Sequence, residues 1–316
     1  MTKNNFKYRI IIPVFNDNKS LNFLVNKIYK ITEKSDYHFD LLIIDDHSNN
    51  SIKLNTNNYT SNNVSINILR VKQNIGHQKA IYIGLNYTIN HPVDKVIIMD
   101  SDGEDDPNYL EKLINSNIEK NKNIVAKRVK RKENLLFILC YYLFKLIFRI
   151  LTGKNLNFGN FSIINFSNVN QILNVDNGFH HYAASLLKID NELIKYPIPK
   201  GERYEGKSKM NFIKLISHGL DALTVFRREA IIRIILFSVI FEFLLIAVAS
   251  FIFYIRFFSN FFITGQATIV MLFIILIGFV FIFICLLLAL SSTSSFTIID
   301  SENIYKKYTD KLEKII

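Results

Sequence analysis

The stretch MDSDGEDDP, at residues 99–107, decides how this chain folds. The apolar run before it, KVIIM at residues 95–99, is typical of a buried strand. Carboxylates at the carboxyl end of such a strand lie where open α/β sheets bind ligands. Because alternate strand residues share a face, Asp100 and Asp102 can converge on one Mg²⁺, with Glu104 as a third ligand. A solvated acidic turn is the alternative interpretation.

The composition limits the classes of protein to consider. The chain has 316 residues, 49% of them hydrophobic, and a formal net charge of +11. This length allows one large domain plus an appendage, and the charge favours nucleic acid, acidic lipid or a phosphorylated substrate as partner. Cys140 and Cys285 both lie in apolar segments and have neither zinc-site spacing nor a disulfide framework. The polar residues 1–7 are unlike a signal peptide.

Two long apolar segments, about 231–254 and 267–290, each reach the roughly 20 residues that a membrane helix needs. Only a short link separates them, so residues 230–291 are predicted to form a two-helix transmembrane hairpin with both flanks on one side of the membrane. Two buried helices of a soluble protein are the alternative.

Basic residues flank both predicted membrane helices. They are Arg227, Arg228 and Arg233 at the first helix and Lys306, Lys307, Lys311 and Lys314 after the second. The positive-inside rule therefore places residues 1–210 and a basic tail, 292–316, in the cytoplasm, with the chain crossing the inner (cytoplasmic) membrane more than once. Basic residues near membrane segments suit anionic lipid better than nucleic acid, so no nucleic-acid partner is expected.

Two further segments have amphipathic patterns. Residues 135–151 are apolar and aromatic, but Lys145 and Arg149 interrupt them on one helical face, which predicts an interfacial helix. Residues 211–229 have a similar pattern and lead into the first membrane helix. Ordinary amphipathic helices on a soluble core are the alternative. Glu242, inside the first membrane helix, is interpreted as a packing residue rather than part of a transport path.

The N-terminal segment alternates strands with helices, which predicts a mostly parallel, doubly wound α/β sheet. The helix at 20–32 has Ser20 as its expected cap. A polar loop is expected at 55–63. The predicted strands lie at 8–14, 39–44, 64–71 and 93–99, and the second predicted helix lies at 78–88.

Polar clusters follow the strand ends and should converge on one rim, where a nucleotide would bind. The pattern G-x-G-x-x-G does not follow the first strand, which argues against a dinucleotide-dependent dehydrogenase. The pattern G-x-x-x-x-G-K-[ST] is missing as well, which argues against a P-loop ATPase.

Four motifs in order carry a resemblance: IPVFND at 12–17, IDDHS at 44–48, QNIGHQKA at 73–80 and MDSDGEDDP at 99–107. Together they resemble the family 2 glycosyltransferases, which have the GT-A (Rossmann-like) fold. RYEGKSK at 203–209 resembles the R-x-x-G-x-S-K segment of polyisoprenyl-phosphate glycosyltransferases of the dolichyl-phosphate mannose synthase type. A cytoplasmic domain with a two-helix hairpin resembles the bacterial and archaeal members of that group.

The resemblance implies an inverting transfer of a sugar from a UDP- or GDP-linked donor to a polyprenyl phosphate. Asp100, Asp102 and Glu104 would hold Mg²⁺ or Mn²⁺ against the diphosphate. The residues expected to bind the nucleotide sugar are Pro13, Asn16, Asp17, Asp45, Asp46, Gly76, His77, Asp100, Ser101 and Asp102.

The acceptor phosphate is expected to contact basic and hydroxyl side chains, with arginine in bidentate fashion. A lipid phosphate is already ionised at neutral pH, so positioning suffices and no strong base is needed. The residues assigned to the acceptor are Arg128, Arg131, Arg203, Ser208 and Lys209. Those assigned to catalysis are Asp100, Asp102, Arg203 and Lys209.

One motif departs from the family pattern. Where the family commonly has Gly-Asp-Phe-Arg, this chain has GNFS at 159–162, so a carboxylate and a guanidinium are replaced at Asn160 and Ser162. This keeps open an acceptor hydroxyl on a lipid-linked glycan, which would need a base; His180 and His181 lie nearby but are interpreted mainly as pocket or core residues.

Other classes stay open as well. A non-catalytic membrane scaffold is the alternative from outside enzymes, and the retained acidic motif argues against it. The sequence argues against a processive polysaccharide synthase, because those enzymes carry a Q-x-x-R-W motif and this chain has no tryptophan. Similar proteins often assemble through their membrane helices, so a homo-oligomer is a further open alternative.

Overall fold

The computed structural model of this chain describes residues 6–55, 59–129, 135–206, 212–258, 265–294 and 301–314. The strands are β1 Lys7–Val14, β2 His38–Asp45, β3 Val64–Val71, β4 Lys95–Ile98, β5 Ile124–Arg128, β6 Ser162–Asn165, β7 Ile194–Ile198 and β8 Thr309–Lys314. The helices are α1 Asn18–Thr32, α2 His77–Asn90, α3 Leu110–Lys120, α4 Leu135–Thr152, α5 Phe166–Leu173, α6 Tyr182–Ile189, α7 Phe212–Val225, α8 Arg227–Phe258, α9 Gln266–Ser294 and α10 Ser301–Tyr308.

The strands form one eight-stranded sheet in the order β7-β5-β6-β4-β1-β2-β3-β8. Strands β4, β1, β2 and β3 run parallel, and β7 runs parallel to β5. Strand β6 is antiparallel to both β4 and β5, and β8 is antiparallel to β3. The mostly parallel α/β fold expected from the sequence is confirmed, and the carboxyl ends of four adjacent strands meet at one edge.

Helix α1 covers one face of the sheet. Leu21, Leu24 and Ile28 recur at helical spacing and are fully buried against the strands. The helix begins earlier than expected, and its cap is Asp17, whose carboxylate accepts the Ser20 N–H at 3.4 Å. The expectation of Ser20 as the cap is therefore wrong, because Ser20 is buried inside the first turn.

Helix α2 lies close to the central strand β1. A methyl group on Gly84 would overlap the Ile11 side chain, so glycine allows this approach. The helix begins directly after Gly76, whose φ of 89° favours glycine. This start places His77 and Gln78 at the edge where the parallel strands end.

The C-terminal segment belongs to the sheet. Residues 292–316 are expected from the sequence to be a basic tail, but the described part forms α10 and β8, and β8 pairs with β3 from Asn67 to Val71. An unpaired β3 edge would expose a row of backbone donors and acceptors, and β8 satisfies them. The described part of this segment is therefore a folded part of the sheet and not a tail.

The chain divides into two compact units, and α8 and α9 belong to the second, which comprises Leu146–Lys154 and Phe226–Ile298. Within the described residues, Arg227–Ile255 is one segment whose length and apolar composition would suit a membrane crossing. Helices α8 and α9 pack against each other: the Phe241 and Phe281 ring centroids are 5.6 Å apart, and a methyl group on Gly278 would overlap the Glu242 carboxyl. The two-helix transmembrane hairpin stays a prediction.

A buried ion pair links the amino-terminal halves of β1 and β2. Arg9 Nε and one terminal nitrogen lie 2.8 and 2.7 Å from Asp40 Oδ2, and Arg9 also donates to the His91 carbonyl at 2.7 Å. Asp40 Oδ1 accepts from Asn67 Nδ2 at 2.8 Å. Both charged side chains are almost fully buried, so each needs the other as its partner.

Replacing Asp40 with alanine should therefore destabilise the domain strongly. Asp40→Ala leaves the Arg9 guanidinium buried without its counter-ion, and we expect a loss of about 3–5 kcal/mol in the free energy of unfolding, measured by urea titration of the detergent-solubilised chain. The paired change Arg9→Met with Asp40→Leu should cost less than Asp40→Ala alone. Glu192→Ala, which breaks an exposed pair with Lys122, is the matched control and should leave the urea midpoint in place. Equal losses in the free energy of unfolding for Asp40→Ala and Glu192→Ala would contradict this account.

Candidate active site

The acidic loop after β4, residues 100–106, is folded by its own carboxylates. Asp105 Oδ2 accepts the Asp100 N–H at 3.0 Å, and Asp102 Oδ1 accepts the Glu104 N–H at 3.0 Å. Gly103 adopts a φ of 89°, which turns the chain between them. Burial and the neighbouring Asp100 charge raise the pKa of Asp105. Asp105 therefore holds the start of the loop to its end, a role that its position within residues 99–107 does not predict.

Asp100 is held at one oxygen only. His77 Nε2 lies 3.0 Å and Asn160 Nδ2 3.3 Å from Asp100 Oδ1. Its Oδ2 has no hydrogen-bond or ion-pair partner in the part of the chain that the structure describes. Burial alone would raise the pKa of Asp100, but the His77 charge and hydrogen bond outweigh it and hold the pKa below its usual range. Asp100 is thus an ionised carboxylate with one oxygen available to a cation.

Asp102 and Glu104 are tied to a cluster of basic side chains. Arg203 spans both: one terminal nitrogen lies 2.8 Å from Asp102 Oδ2, and its Nε lies 2.7 Å from Glu104 Oε1. Lys200 and Arg128 also contact Glu104, at 3.2 and 3.0 Å. Burial would raise the pKa of Glu104, but these contacts lower it overall. Glu104 is therefore paired with three cations and Asp102 with one, whereas Asp100 keeps one oxygen without a partner among the described residues.

The segment after β7 lies directly on the acidic loop. The Gly201 N–H donates to the Glu104 carbonyl at 2.8 Å, and the Tyr204 N–H donates to the Asp102 carbonyl at 3.1 Å. A methyl group on Gly201 would overlap the Gly103 carbonyl, so this contact needs glycine. Arg203 therefore reaches the carboxylates from a backbone that is itself anchored to them.

The motif after β2 has a supporting role. Asp46 accepts the Ile75 N–H at 2.7 Å and the Gly76 N–H at 2.9 Å, and it also accepts from Asn74 Nδ2 at 3.0 Å. Burial raises the pKa of Asp46, partly opposed by these backbone hydrogen bonds. The buried Asp46 carboxylate fixes the turn that presents Gly76 and His77.

The remaining residues of these two motifs link the loops. Asp45 Oδ1 accepts the Ser48 N–H at 2.8 Å, and its Oδ2 lies 3.7 Å from Arg70. Asn16 donates its N–H to Ser48 Oγ at 3.0 Å, and its side-chain oxygen accepts the Asn49 N–H at 2.8 Å. The loops after β1 and β2 are thus joined side by side.

A cavity of about 980 Å³ opens beside the acidic loop. Of the residues expected from the sequence, it is lined by Gly76, His77, Asp100, Ser101, Asp102, Glu104, Arg128 and Arg203. The expected nucleotide residues that do not line it are Pro13, Asn16, Asp17, Asp45 and Asp46. Arg131, Ser208 and Lys209 lie outside the described residues.

Lys200 and His218 are cavity residues that the sequence did not single out. Lys200 stands just before the R-x-x-G-x-S-K segment and lines the cavity. Its positive charge at this position could have indicated a place in the site. His218 lies on α7, and its ring stacks on His181 with the centroids 4.3 Å apart. Burial lowers the pKa of both histidines, so both are neutral near pH 7. An amphipathic pattern alone could not indicate which α7 residues face a cavity.

Comparison with known proteins identifies the class to which this fold and site belong. A family model described as glycosyl transferase family 2 matches residues 9–180, which is more than half of the 316-residue chain. The chain belongs to this family and is a glycosyltransferase.

Curated relatives are distant. A 231-residue match to the uncharacterized glycosyltransferase YkcC of Bacillus subtilis (strain 168) is 22% identical and covers 71% of this chain and 69% of that protein. The undecaprenyl-phosphate 4-deoxy-4-formamido-L-arabinose transferase of Proteus mirabilis (strain HI4320) is 25% identical over 226 residues, with 69% of this chain and 67% of that protein covered. The chain thus spans about two thirds of the length of these relatives.

A solved structure shares the fold. Glucosyl-3-phosphoglycerate synthase from Mycobacterium tuberculosis, in complex with Mn²⁺, UDP-glucose and phosphoglyceric acid, has a TM-score of 0.52 at 10% identity. The match covers 71% of this chain and 80% of that one. At this identity the likeness shows the GT-A fold.

Replacing Asp46 with alanine should remove the support of the Gly76 turn. The buried N–H groups of Ile75 and Gly76 would lose their acceptor, and we expect a loss on the order of 3 kcal/mol in the free energy of unfolding, together with loss of nucleotide binding. Asp17→Ala, which removes only a helix cap, should cost about 1 kcal/mol. Urea titration and calorimetry with nucleotides measure both. Equal stability of the Asp46→Ala protein and the wild type would rule out the supporting role.

Proposed function

We propose that this glycosyltransferase moves a sugar from a nucleotide diphosphate donor to a polyprenyl phosphate at the cytoplasmic surface of a membrane. The observation that carries the proposal is the meeting of Asp100 and Asp102 with Arg128, Lys200 and Arg203 on one cavity wall. Carboxylates suit a divalent cation and its diphosphate, and guanidinium groups suit phosphate oxygens.

The donor half of the reaction rests on the two carboxylates. Asp100 Oδ2 is available, and Asp102, two residues further along the loop, would free its Oδ2 when Arg203 turns to a substrate phosphate. The pair would then suit Mg²⁺ or Mn²⁺ completed by substrate phosphates. No group of three histidine, cysteine, aspartate or glutamate side chains within the described residues has metal-site geometry. When bound, such a cation would offset the charge of the departing diphosphate.

The acceptor half rests on the basic residues. Arg203 reaches Asp102 with one guanidinium nitrogen and Glu104 with another, so it can exchange one of these carboxylates for a phosphate oxygen while the other orients it. An ionised lipid phosphate needs no general base, and the enzyme contributes by holding its oxygen in line with the anomeric carbon. The Proteus mirabilis relative is named for transfer to undecaprenyl phosphate, which supports this class of acceptor.

Membrane placement rests on exposed apolar faces and on chain order. Ile213, Ile216 and Leu220 of α7 lie on one helical face and are 76%, 48% and 57% exposed, which suits the apolar part of a bilayer surface. Because β8 pairs with β3, the segments before α8 and after α9 must lie on the same side of a membrane. This requires an even number of crossings, which α8 and α9 together would provide.

The first test is sugar transfer by the purified chain. With labelled UDP- and GDP-sugars, undecaprenyl phosphate and Mn²⁺, we expect a labelled lipid that mild acid hydrolyses. Asp102→Ala should reduce kcat/KM by at least about 100-fold, because it removes preorganised charge at the departing diphosphate. Asp106→Ala is the matched control from the same acidic segment, because Asp106 caps the short 3₁₀ helix Pro107–Tyr109 instead. Full activity of the Asp102→Ala protein would eliminate the carboxylate assignment.

The second test is the number of membrane crossings. Alkaline phosphatase fused at Gly265, between α8 and α9, should be active outside the cytoplasm, whereas a fluorescent protein fused after Ile316 should fluoresce inside it. The pairing of β8 with β3 supports an even number of crossings, and the apolar length of α8 and α9 favours two over none. Inactive phosphatase at Gly265, or a fusion after Ile316 that does not fluoresce, would contradict two crossings.

A hydroxyl acceptor is the second candidate, and His218 favours it. This half-buried, neutral imidazole lines the cavity, and its pKa is lowered by desolvation, partly opposed by the Asp221 charge. It can therefore accept a proton from a hydroxyl group at neutral pH. Asn160, which replaces an acidic residue of the family motif, does not supply that base. A glycolipid product that survives mild acid in the transfer assay would identify this acceptor instead.

A further inference from the structure

Three lysines come together at the β7 edge of the sheet, outside the cavity. Strand β7 pairs only with β5, in a parallel register that sets Lys195 beside Val125 and Pro197 beside Lys127. Because paired residues and residues two apart share a face, Lys127 and Lys195 are neighbours on one face of the sheet. Lys145 of α4 completes the group. Burial lowers the pKa of Lys195, and the charges of Lys127 and Lys145 lower it further, which requires all three to be close.

The charge of this lysine cluster is not neutralised by the protein. No carboxylate of the described segments forms an ion pair with Lys127, Lys145 or Lys195. Lys195 is instead held by neutral groups: its Nζ donates to the Asn155 carbonyl at 3.3 Å and lies 5.7 Å from the centroid of the Phe158 ring. Three like charges held close together repel one another, so an anion placed among them would stabilise the cluster.

Exposed apolar side chains stand beside the lysine cluster. On α4, Leu139, Tyr142 and Leu143 share one helical face and are all largely exposed. Lys145 follows Tyr142 by three residues, so it lies at the border of this apolar face. Val129, which directly follows β5, is a further exposed apolar residue. Basic groups that border an exposed apolar face are typical of a surface that lies on a membrane, with lysine heads at the level of the lipid phosphates.

We propose that Lys127, Lys145 and Lys195 form a headgroup site for an anionic phospholipid of the bilayer, with the exposed apolar face of α4 in contact with its acyl chains. Each ammonium group can donate to phosphate oxygens, and a lipid carries its phosphate next to apolar chains, as the cluster and the face of α4 require. The inference rests on the membrane placement within the proposed function and is independent of the sugar-transfer chemistry.

The test measures lipid binding by the full chain. Native mass spectrometry of the chain in a neutral detergent would count bound lipids during titration with phosphatidylglycerol, and with phosphatidylcholine in parallel. We expect phosphatidylglycerol to bind at least about tenfold more tightly, because only its headgroup has a net negative charge for the lysines to neutralise. Raising the salt from about 0.05 to about 0.5 M should reduce this preference, because salt screens exposed charges. Equal affinity for the two lipids would overturn the site.

Variants assign the preference to the cluster. Lys127→Gln, Lys145→Gln and Lys195→Gln should each weaken phosphatidylglycerol binding about fivefold, and the triple variant about 100-fold, with phosphatidylcholine binding unchanged. Lys34→Gln removes an exposed lysine between α1 and β2 and is the matched control, with binding expected within about twofold of the wild type. Equal losses for Lys34→Gln and the cluster variants would overturn the assignment. So would displacement of phosphatidylglycerol by about 10 mM inorganic phosphate, since the site would then recognise phosphate without the acyl chains.

Sugar transfer distinguishes this site from the acceptor site. In detergent without phospholipid, the triple variant should transfer sugar to undecaprenyl phosphate with kcat/KM within about twofold of the wild type, because the lysines hold a bilayer lipid and not the acceptor. Loss of transfer by a folded triple variant would assign the lysines to the acceptor and overturn the inference. No transfer by the wild type, with selective phosphatidylglycerol binding intact, would overturn the proposed chemistry and still support the headgroup site.

Discussion

The concentration of negative charge in residues 100–105 is the constraint on which the site depends. Four carboxylates in six residues repel one another unless cations lie among them. No single segment supplies those cations, so the fold has to bring several together at this point. They are His77 at the start of α2, Arg128 at the end of β5, and Lys200 and Arg203 after β7. The same arrangement that makes the loop stable also leaves one oxygen of Asp100 available to a ligand.

The sheet was largely predictable from the sequence because its central strands are continuous apolar runs that end in polar turns. Strands β1 to β4 lie close to their expected positions, and the parallel order follows from the alternation with helices. The antiparallel strands β6 and β8 were not foreseen. Residues 162–165 are a run of only four, and residues 309–314 are mostly polar, so neither has the apolar pattern by which a strand is recognised.

Site residues that stand in one contiguous motif could be predicted from the sequence. Site residues that only the fold brings together were harder to predict. Asp100 and Asp102 were identified because both stand at one strand end. The supporting role of Asp46 was not predicted. It depends on the N–H groups of Ile75 and Gly76, which lie 29 and 30 positions further along the chain and reach the carboxylate only in the folded structure. His218 comes from α7, far away in sequence, and its stacking on His181 follows from tertiary packing alone.

The pairing of β8 with β3 makes the apolar helices α8 and α9 an insertion within one sheet rather than an appendage at its end. A ribosome making this chain would finish β3 long before β8, so the β3 edge stays open while more than two hundred residues are added. An open edge is a template for pairing with other chains, and such exposure promotes aggregation during folding. A protein ended at Val225 would keep that edge open permanently, so excising the catalytic domain requires joining residues 301–314 back to it.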